Sequence, residues 1–209
     1  MQEGYFISFE GSEGSGKSTQ IARLAKRLEA FKKPILLTRE PGGTYLSESI
    51  RKLLKEPNTG IVPEAELLLF AASRAQLLQE VLLPALKQGS IVLSDRFTDS
   101  TLAYQGFGRK MDLAFIQHLN SFATQGLVPD CTILLDIAPE AGLKRAKARQ
   151  ESSIDRLEQE DLSFYRAVRS AYLELAKTQA DRFIVVNADQ DPDTIEDYIW
   201  HVLSQRLRR

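Results

Sequence analysis

The stretch FEGSEGSGKSTQ, residues 9–20, decides the fold of this chain. Residues 11–18 match the pattern G-x-x-x-x-G-K-[ST], with an apolar run before them and a helix-compatible segment after them. Glycines let successive backbone N–H groups point inward, and the N-terminus of the next helix adds positive charge. The pattern predicts a phosphate loop between a strand and a helix. The alternative is a glycine turn with a solvated lysine, and the strand and helix around the loop favour phosphate binding.

The phosphate loop, residues 11–18, gives separate roles to two side chains. Lys17 would neutralise the β- and γ-phosphates of a nucleotide, and the hydroxyl of Ser18 would hold Mg²⁺. The residues predicted to bind the triphosphate are Gly11, Ser12, Glu13, Gly14, Ser15, Gly16, Lys17, Ser18 and Thr19.

Outside this loop, apolar runs alternate with helix-patterned segments. The five runs are nearly continuous, as in strands buried on both faces, and lie at 5–9, 35–38, 91–94, 131–136 and 183–186. The helical segments lie at 18–30, 45–55, 63–87, 111–124, 139–148, 157–178 and 194–207. Strand and helix in alternation predict an α/β fold of three layers, with a parallel sheet between two helical layers.

Composition limits the class of protein. The chain has 209 residues, of which 43% are apolar and 26% charged, and these values fit one soluble domain over residues 1–209. A net charge of −1 provides no overall attraction for nucleic acid or an anionic membrane, so neither is expected as a partner.

Three features bear on the compartment. Cys131 is the only cysteine, which fits a reducing compartment, and its apolar surroundings indicate core packing. The most membrane-like stretch, 65–86, is interrupted by Glu66, Arg74 and Glu80 and is interpreted as a largely buried helix of a soluble protein. No secretory signal is visible, and a cytoplasmic protein is expected.

A second acid follows the third apolar run, in IVLSDRF. Asp95 at the carboxyl end of a strand could hold Mg²⁺, and Asp136 after the fourth run competes for this role. The adjacent Arg96 favours Asp95, because a cation there could bind a second, acceptor phosphate. An exposed ion pair is the alternative for this dipeptide. The guanine motif Asn-Lys-x-Asp and the motif Asp-x-x-Gly are both absent, which favours a small kinase over a switch GTPase.

Five motifs together resemble the bacterial thymidylate kinase family, in order and over nearly the whole chain. They are FEGSEGSGKSTQ, TREPGGT, DRFTDSTLAYQG, LDIAPEAGLKRAKAR and DRLEQED. The resemblance implies the P-loop nucleoside monophosphate kinase fold with a five-stranded parallel sheet. It also implies transfer of the γ-phosphoryl group of ATP to dTMP with Mg²⁺, and a homodimer.

The resemblance also assigns residues to the thymidine part of the acceptor. Phe70 would stack on the base and Arg74 would reach its O4; their i, i+4 spacing puts both on one helix face. From the residues alone, the simpler interpretation is a core phenylalanine and a surface arginine. Thr101 and Gln105 are implied near the N3 edge, and Tyr104 against the deoxyribose.

Further residues are implied around the acceptor phosphate and sugar. Arg39 of TREPGGT would bind the phosphate beside Arg96, with a cis peptide possible before Pro41, and Glu13 would lie near the sugar hydroxyl.

A charged lid, at about 144–160, is implied to supply the catalytic arginine. Some relatives carry that arginine in the phosphate loop, but here Glu13 is followed by Gly14. Arg149 is the first candidate and Arg156 the second, with Arg145 expected near the adenine of ATP.

Two alternatives stay open from the sequence. One is another small P-loop kinase, acting on a deoxynucleoside or on a different monophosphate. The other is a non-catalytic nucleotide-binding module, for which a damaged phosphate loop or a missing second acid would be typical; Lys17, Ser18 and Asp95 are all present.

Overall fold

The computed structural model of the chain describes residues 4–56, 59–149 and 160–207. Its centre is a five-stranded parallel sheet with the strand order β2-β3-β1-β4-β5. The strands are β1 Tyr5–Glu10, β2 Ile35–Arg39, β3 Ile91–Asp95, β4 Cys131–Asp136 and β5 Phe183–Asn187. The prediction of a parallel sheet is confirmed.

Helices connect and cover these strands. They are α1 Lys17–Leu28, α2 Tyr45–Lys55, α3 Pro63–Leu77, α4 Leu83–Lys87, α5 Thr98–Thr101, α6 Leu113–Thr124, α7 Pro139–Arg149, α8 Leu162–Thr178 and α9 Pro192–Leu207. A π-helical turn, Leu78–Leu82, joins α3 to α4, so 63–87 is continuous as the sequence predicted. A second π-helical segment, Leu102–Gly108, continues α5. The sequence pattern missed this helical stretch because Gly106 and Gly108 and its polar residues interrupt any apolar periodicity.

Burial differs between the centre and the edges of the sheet. The apolar side chains of β1, β3 and β4 are almost all buried, and α1 and α9 pack over the core that β1 and β4 share. On the edge strands, Leu37 of β2 is 52% exposed and Val185 of β5 is 42% exposed. The expectation that all five strands are buried on both faces is therefore wrong for β2 and β5, where the helical layers end.

One helix in the described part of the chain, Pro63–Lys87, is long and apolar enough to cross a membrane by length and composition, with a mean hydropathy of 1.2. In the fold, 39% of its most apolar stretch is buried, which is less than the sequence suggested. Glu66 and Arg74 of this helix are buried in ion pairs inside the protein. Core helices of folded domains also meet the criterion of length and apolar composition.

Cys131 at the start of β4 is fully buried. Burial raises the pKa of its thiol to about 11, so the reactive thiolate is disfavoured. This agrees with the interpretation of Cys131 as a packing residue.

Candidate active site

The phosphate loop connects β1 to α1, and its glycines have backbone angles that other residues rarely adopt. Gly11, Gly14 and Gly16 have φ values of 137°, 70° and 93°. Gly16 caps α1 without a side-chain hydrogen bond, so the first N–H groups of this helix are left for a ligand. Ser15 Oγ is buried without a hydrogen-bond partner in the described residues. A loop with these unpaired donors is suited to an anion.

Lys17 lies across the loop that contains it. Its Nζ donates to the carbonyl oxygens of Gly11 at 2.9 Å and Ser12 at 3.1 Å. Burial lowers the pKa of this amine to about 8, and the nearby Arg96 adds to that effect. A phosphate would offer Nζ a stronger, charged acceptor than these carbonyls.

Ser18 and Asp95 meet at the mouth of the phosphate loop. Ser18 Oγ donates to Asp95 Oδ2 at 3.1 Å, because β3 pairs with β1 and ends beside the loop. The competing acid, Asp136, accepts two hydrogen bonds from Arg169 at 2.7 and 2.9 Å and is neutralised by it. Of these two acids, Asp95 is therefore the one that hydrogen-bonds to Ser18.

A central cavity of about 200 Å³ lies between the phosphate loop and a group of arginines. Lys17, Ser18 and Asp95 line it, and so do Arg39 and Arg96. Arg39 also donates to Glu48 at 2.9 and 3.1 Å. The lysine of the phosphate loop and a group of arginines therefore share one cavity, and this space can hold phosphate.

Arg51 of α2 also lines the central cavity and was missed in the sequence. It donates to the carbonyl oxygen of Pro41 at 3.0 Å, directly after the cis peptide between Glu40 and Pro41. No motif contains Arg51; the only available signal was a cation on the helix that follows TREPGGT.

Arg96 is held by a dense set of hydrogen bonds. Its backbone has a φ of 74°, which is unusual for a residue with a side chain. Nη2 donates to Glu13 Oε1 at 2.7 Å and to the Tyr104 hydroxyl at 3.0 Å. Nη1 donates to Ser100 Oγ at 3.1 Å and to the Tyr172 hydroxyl at 3.3 Å. The guanidinium is therefore preorganised beside the central cavity.

Glu10 lies behind Arg96 and was also missed in the sequence. Its carboxylate accepts from Phe97 N at 2.8 Å, Ser100 Oγ at 2.6 Å and the Tyr172 hydroxyl at 2.8 Å. Burial, followed by the negative charge of Asp99, raises the pKa of Glu10 from its ordinary 4.5 to about 7.

The raised pKa of Glu10 predicts a pH dependence of stability. Protonation of this carboxyl is easier in the fold than in the unfolded chain, so its stabilising contribution is complete below pH 4.5 and is lost as pH rises through 7. The loss should approach about 3 kcal/mol. Glu10→Gln, which resembles the protonated acid, should lack this loss when urea unfolding is compared at pH 5 and pH 8.5. Equal pH dependence of the two proteins would contradict the assignment.

An inner cavity of about 180 Å³ opens beyond the central one, and Phe70 and Arg74 of α3 both line it. Phe70 is half-buried and forms part of the wall. Arg74 is 1% exposed, so its interpretation as a surface charge, made from the residues alone, is wrong. Its guanidinium lies 2.6 Å from Glu40 and donates to Asn120 Oδ1 at 2.7 Å, which compensates for burial of the charge.

The other residues implied to contact thymidine come from α5 and the π-helical segment. Thr101, Tyr104 and Gln105 all line the inner cavity. Thr101 Oγ1 accepts from Arg74 at 2.9 Å, and the Tyr104 hydroxyl donates to Glu13 Oε2 at 2.8 Å. The structure thus brings together residues that are far apart in the sequence.

An outer cavity of about 210 Å³ lies on the opposite side of the phosphate loop. Thr19 and Arg145 line it, together with Gly16. Arg145 donates to the Ala188 carbonyl oxygen at 2.7 Å and to Asp189 Oδ1 at 2.8 Å. This is where the sequence predicts that adenine binds.

Of the three lid arginines named from the sequence, the structure describes the side chain of Arg145 only. Arg149 ends α7, one helical turn after Arg145, and its side chain lies outside the described part of the structure, as does Arg156. The start of α7 packs tightly on the phosphate loop: a Cβ at Gly14 would lie 2.0 Å from the carbonyl oxygen of Gly142. Position 14 therefore has no room for an arginine in this arrangement.

The chain is similar to proteins of one family. The sequence model of the family described as "Thymidylate kinase" matches residues 9–199. The "Thymidylate kinase" of Deinococcus radiodurans is 48% identical over 206 residues, which cover 99% of both chains. That of Trichlorobacter lovleyi is 50% identical over 207 residues, covering 97% of this chain and 98% of the relative. A crystal structure of thymidylate kinase from Ehrlichia chaffeensis matches with a TM-score of 0.78 and 34% identity, covering 96% of this chain and 99% of the other.

Proposed function

The chain belongs to the thymidylate kinase family, and we propose that it transfers the γ-phosphoryl group of ATP to dTMP at the three connected cavities, giving dTDP and ADP. The observation that carries this proposal is the central cavity. The phosphate loop with Lys17, Ser18 and Asp95 lines it, and so do Arg39, Arg51 and Arg96. Two phosphorylated substrates bring several negative charges together, and Lys17 and these three arginines supply cations for both.

Each substrate has a cavity on its own side. The outer cavity, with Thr19 and Arg145, suits the adenosine of ATP, while the phosphate loop receives the triphosphate. The inner cavity suits thymidine, with Phe70 as the stacking surface and Arg74 as the donor to O4. The acceptor phosphate then lies between Arg39 and Arg96.

Catalysis in this arrangement depends on positioning and charge neutralisation. The transition state of phosphoryl transfer is loose, and its charge spreads over the transferring group. Lys17 would neutralise the donor side, while Arg96 orients the acceptor oxygen. A phosphate monoester with a second pKa of about 6 is already ionised near neutral pH and needs no general base. The two histidines are therefore not assigned a role as a base. His118 and His201 are exposed, and each bonds within its own helix.

Mg²⁺ fits the pair formed by Ser18 and Asp95. The described residues contain no group of three or more His, Cys, Asp or Glu side chains that could hold a metal. Mg²⁺ commonly takes one or two protein oxygens and completes its shell with water and phosphate oxygens. When bound, Mg²⁺ would neutralise charge on the β- and γ-phosphates.

The proposal extends to a cytoplasmic homodimer. Phe115 and Phe122 of α6 are 55% and 83% exposed and lie seven residues apart, on one face of the helix. Large exposed apolar side chains on one face are typical of an interface. The buried thiol of Cys131 is compatible with a reducing compartment.

A panel of acceptors tests the function. ADP release should be measured with dTMP, dUMP, dCMP, dGMP and thymidine at equal concentrations, with ATP and Mg²⁺. We expect dTMP to give the highest kcat/KM, because the inner cavity is built for a pyrimidine beside a phosphate site. Strong turnover of thymidine without turnover of dTMP would contradict the acceptor assignment.

A further inference from the structure

The side-chain amide of Gln105 lies between the inner cavity and a buried carboxylate. Gln105 lines the cavity and is 4% exposed. Its Nε2 donates to Glu66 Oε1 at 2.9 Å, and Glu66 is 1% exposed. An ionised carboxylate can only accept hydrogen bonds, so the NH₂ end of the amide must face Glu66. The carbonyl end, Oε1, is then the atom left for the cavity.

The charge on Glu66 is secured by Arg109. Arg109 Nε donates to Glu66 Oε1 at 2.7 Å and Nη2 donates to Oε2 at 3.0 Å. Arg109 itself lies 2.9 Å from Glu160 and stacks over the ring of Phe164 at 5.5 Å. A buried carboxylate with a bidentate arginine partner stays ionised and holds its position. In the described residues, no donor bonds to Gln105 Oε1.

We propose that Glu66 is a positioning residue for acceptor specificity, which fixes the amide of Gln105 so that its carbonyl oxygen faces the base. This inference rests on the proposed function. Thymine carries a hydrogen on N3 and can donate to that oxygen, whereas cytosine has a lone pair on N3 and would place two acceptors together. A site with a fixed polar partner rejects a mismatched ligand strongly, because its buried group is left unpaired.

The best probe is a pair of substrates that differ only on this edge. 5-Methyl-dCMP keeps the methyl group, sugar and phosphate of dTMP, but has an amino group at position 4 and no hydrogen on N3. The ratio of kcat/KM for dTMP to that for 5-methyl-dCMP measures discrimination at position 4, which is assigned to Arg74, together with discrimination at N3, which Gln105 faces. Arg74 is the same in every variant, so a change in this ratio reports on Gln105.

Glu66→Gln should lower this ratio tenfold or more relative to the unchanged protein, mainly by raising KM for dTMP. A neutral amide at position 66 has one acceptor atom, for which Arg109 and Gln105 compete, so the Gln105 amide is no longer fixed. The matched control is Glu64→Gln, the same change at an exposed acid of the same helix. Its ratio should stay within twofold of the unchanged protein.

Three results would overturn the inference. The first is an unchanged ratio in Glu66→Gln. The second is an equal fall in Glu66→Gln and Glu64→Gln, which would indicate a general effect of removing an acid from α3. The third concerns Gln105→Leu, which keeps the Glu66–Arg109 pair, removes the amide, and serves if Glu66→Gln does not fold: a ratio equal to that of the unchanged protein would overturn the inference. Failure of the unchanged protein to phosphorylate dTMP would instead overturn the proposed function, and this inference with it.

Discussion

Arg149→Ala is expected to lower kcat by about 10³- to 10⁵-fold, with KM for ATP and dTMP changed only severalfold. An arginine that neutralises the transferring phosphoryl group acts in the transition state, so its loss falls on kcat. The phosphate loop has no room for this arginine, because a Cβ at Gly14 would lie 2.0 Å from the carbonyl oxygen of Gly142. The charge must come from elsewhere, and α7 carries Arg149 one turn beyond Arg145, which borders the outer cavity.

Steady-state kinetics of three variants would check this assignment. Arg145→Ala should mainly raise KM for ATP, because Arg145 lines the cavity assigned to adenosine. Arg156→Ala should change kcat much less than Arg149→Ala. An unchanged kcat in Arg149→Ala would remove Arg149 from the mechanism, and a large loss in Arg156→Ala would assign the role to the second candidate.

Lys17→Ala is expected to lower kcat/KM for ATP by about 10³-fold. Its Nζ is buried over the phosphate loop, 2.9 Å from the Gly11 carbonyl oxygen, where water cannot replace a lost cation. The matched control is Lys26→Ala, which removes an exposed lysine from the same helix and should be neutral. Circular dichroism and thermal melting should show that Lys17→Ala is folded. Activity within tenfold of the unchanged protein would contradict the role of Lys17.

The sequence predicted the sheet well because its strands are nearly continuous apolar runs. The predicted ends of four strands fall one residue short, since the strands continue onto Glu10, Arg39, Asp95 and Asn187. A polar side chain ends an apolar run, but the backbone pairing does not depend on the side chain. Three of these four residues, Glu10, Arg39 and Asp95, belong to the candidate site or support it.

The residues that the sequence missed depend on long-range pairs. Glu10 matters because Ser100 and Tyr172 lie against it, 90 and 162 positions away in the chain. Glu66 matters because Gln105 of the π-helical segment and Arg109, directly after that segment, both bond to it. Such partners follow from tertiary packing, and neither periodicity nor a local motif encodes them.

The most direct test of the proposed two-substrate site is a crystal structure with Mg²⁺ and a bisubstrate analogue, in which adenosine and thymidine are joined through a chain of phosphates. We expect thymine to stack on Phe70, adenine to lie beside Arg145, and the phosphates to run past Lys17 to Arg96. Thymidine bound anywhere outside the inner cavity, or an inner cavity that stays closed to it, would contradict this arrangement of the substrates.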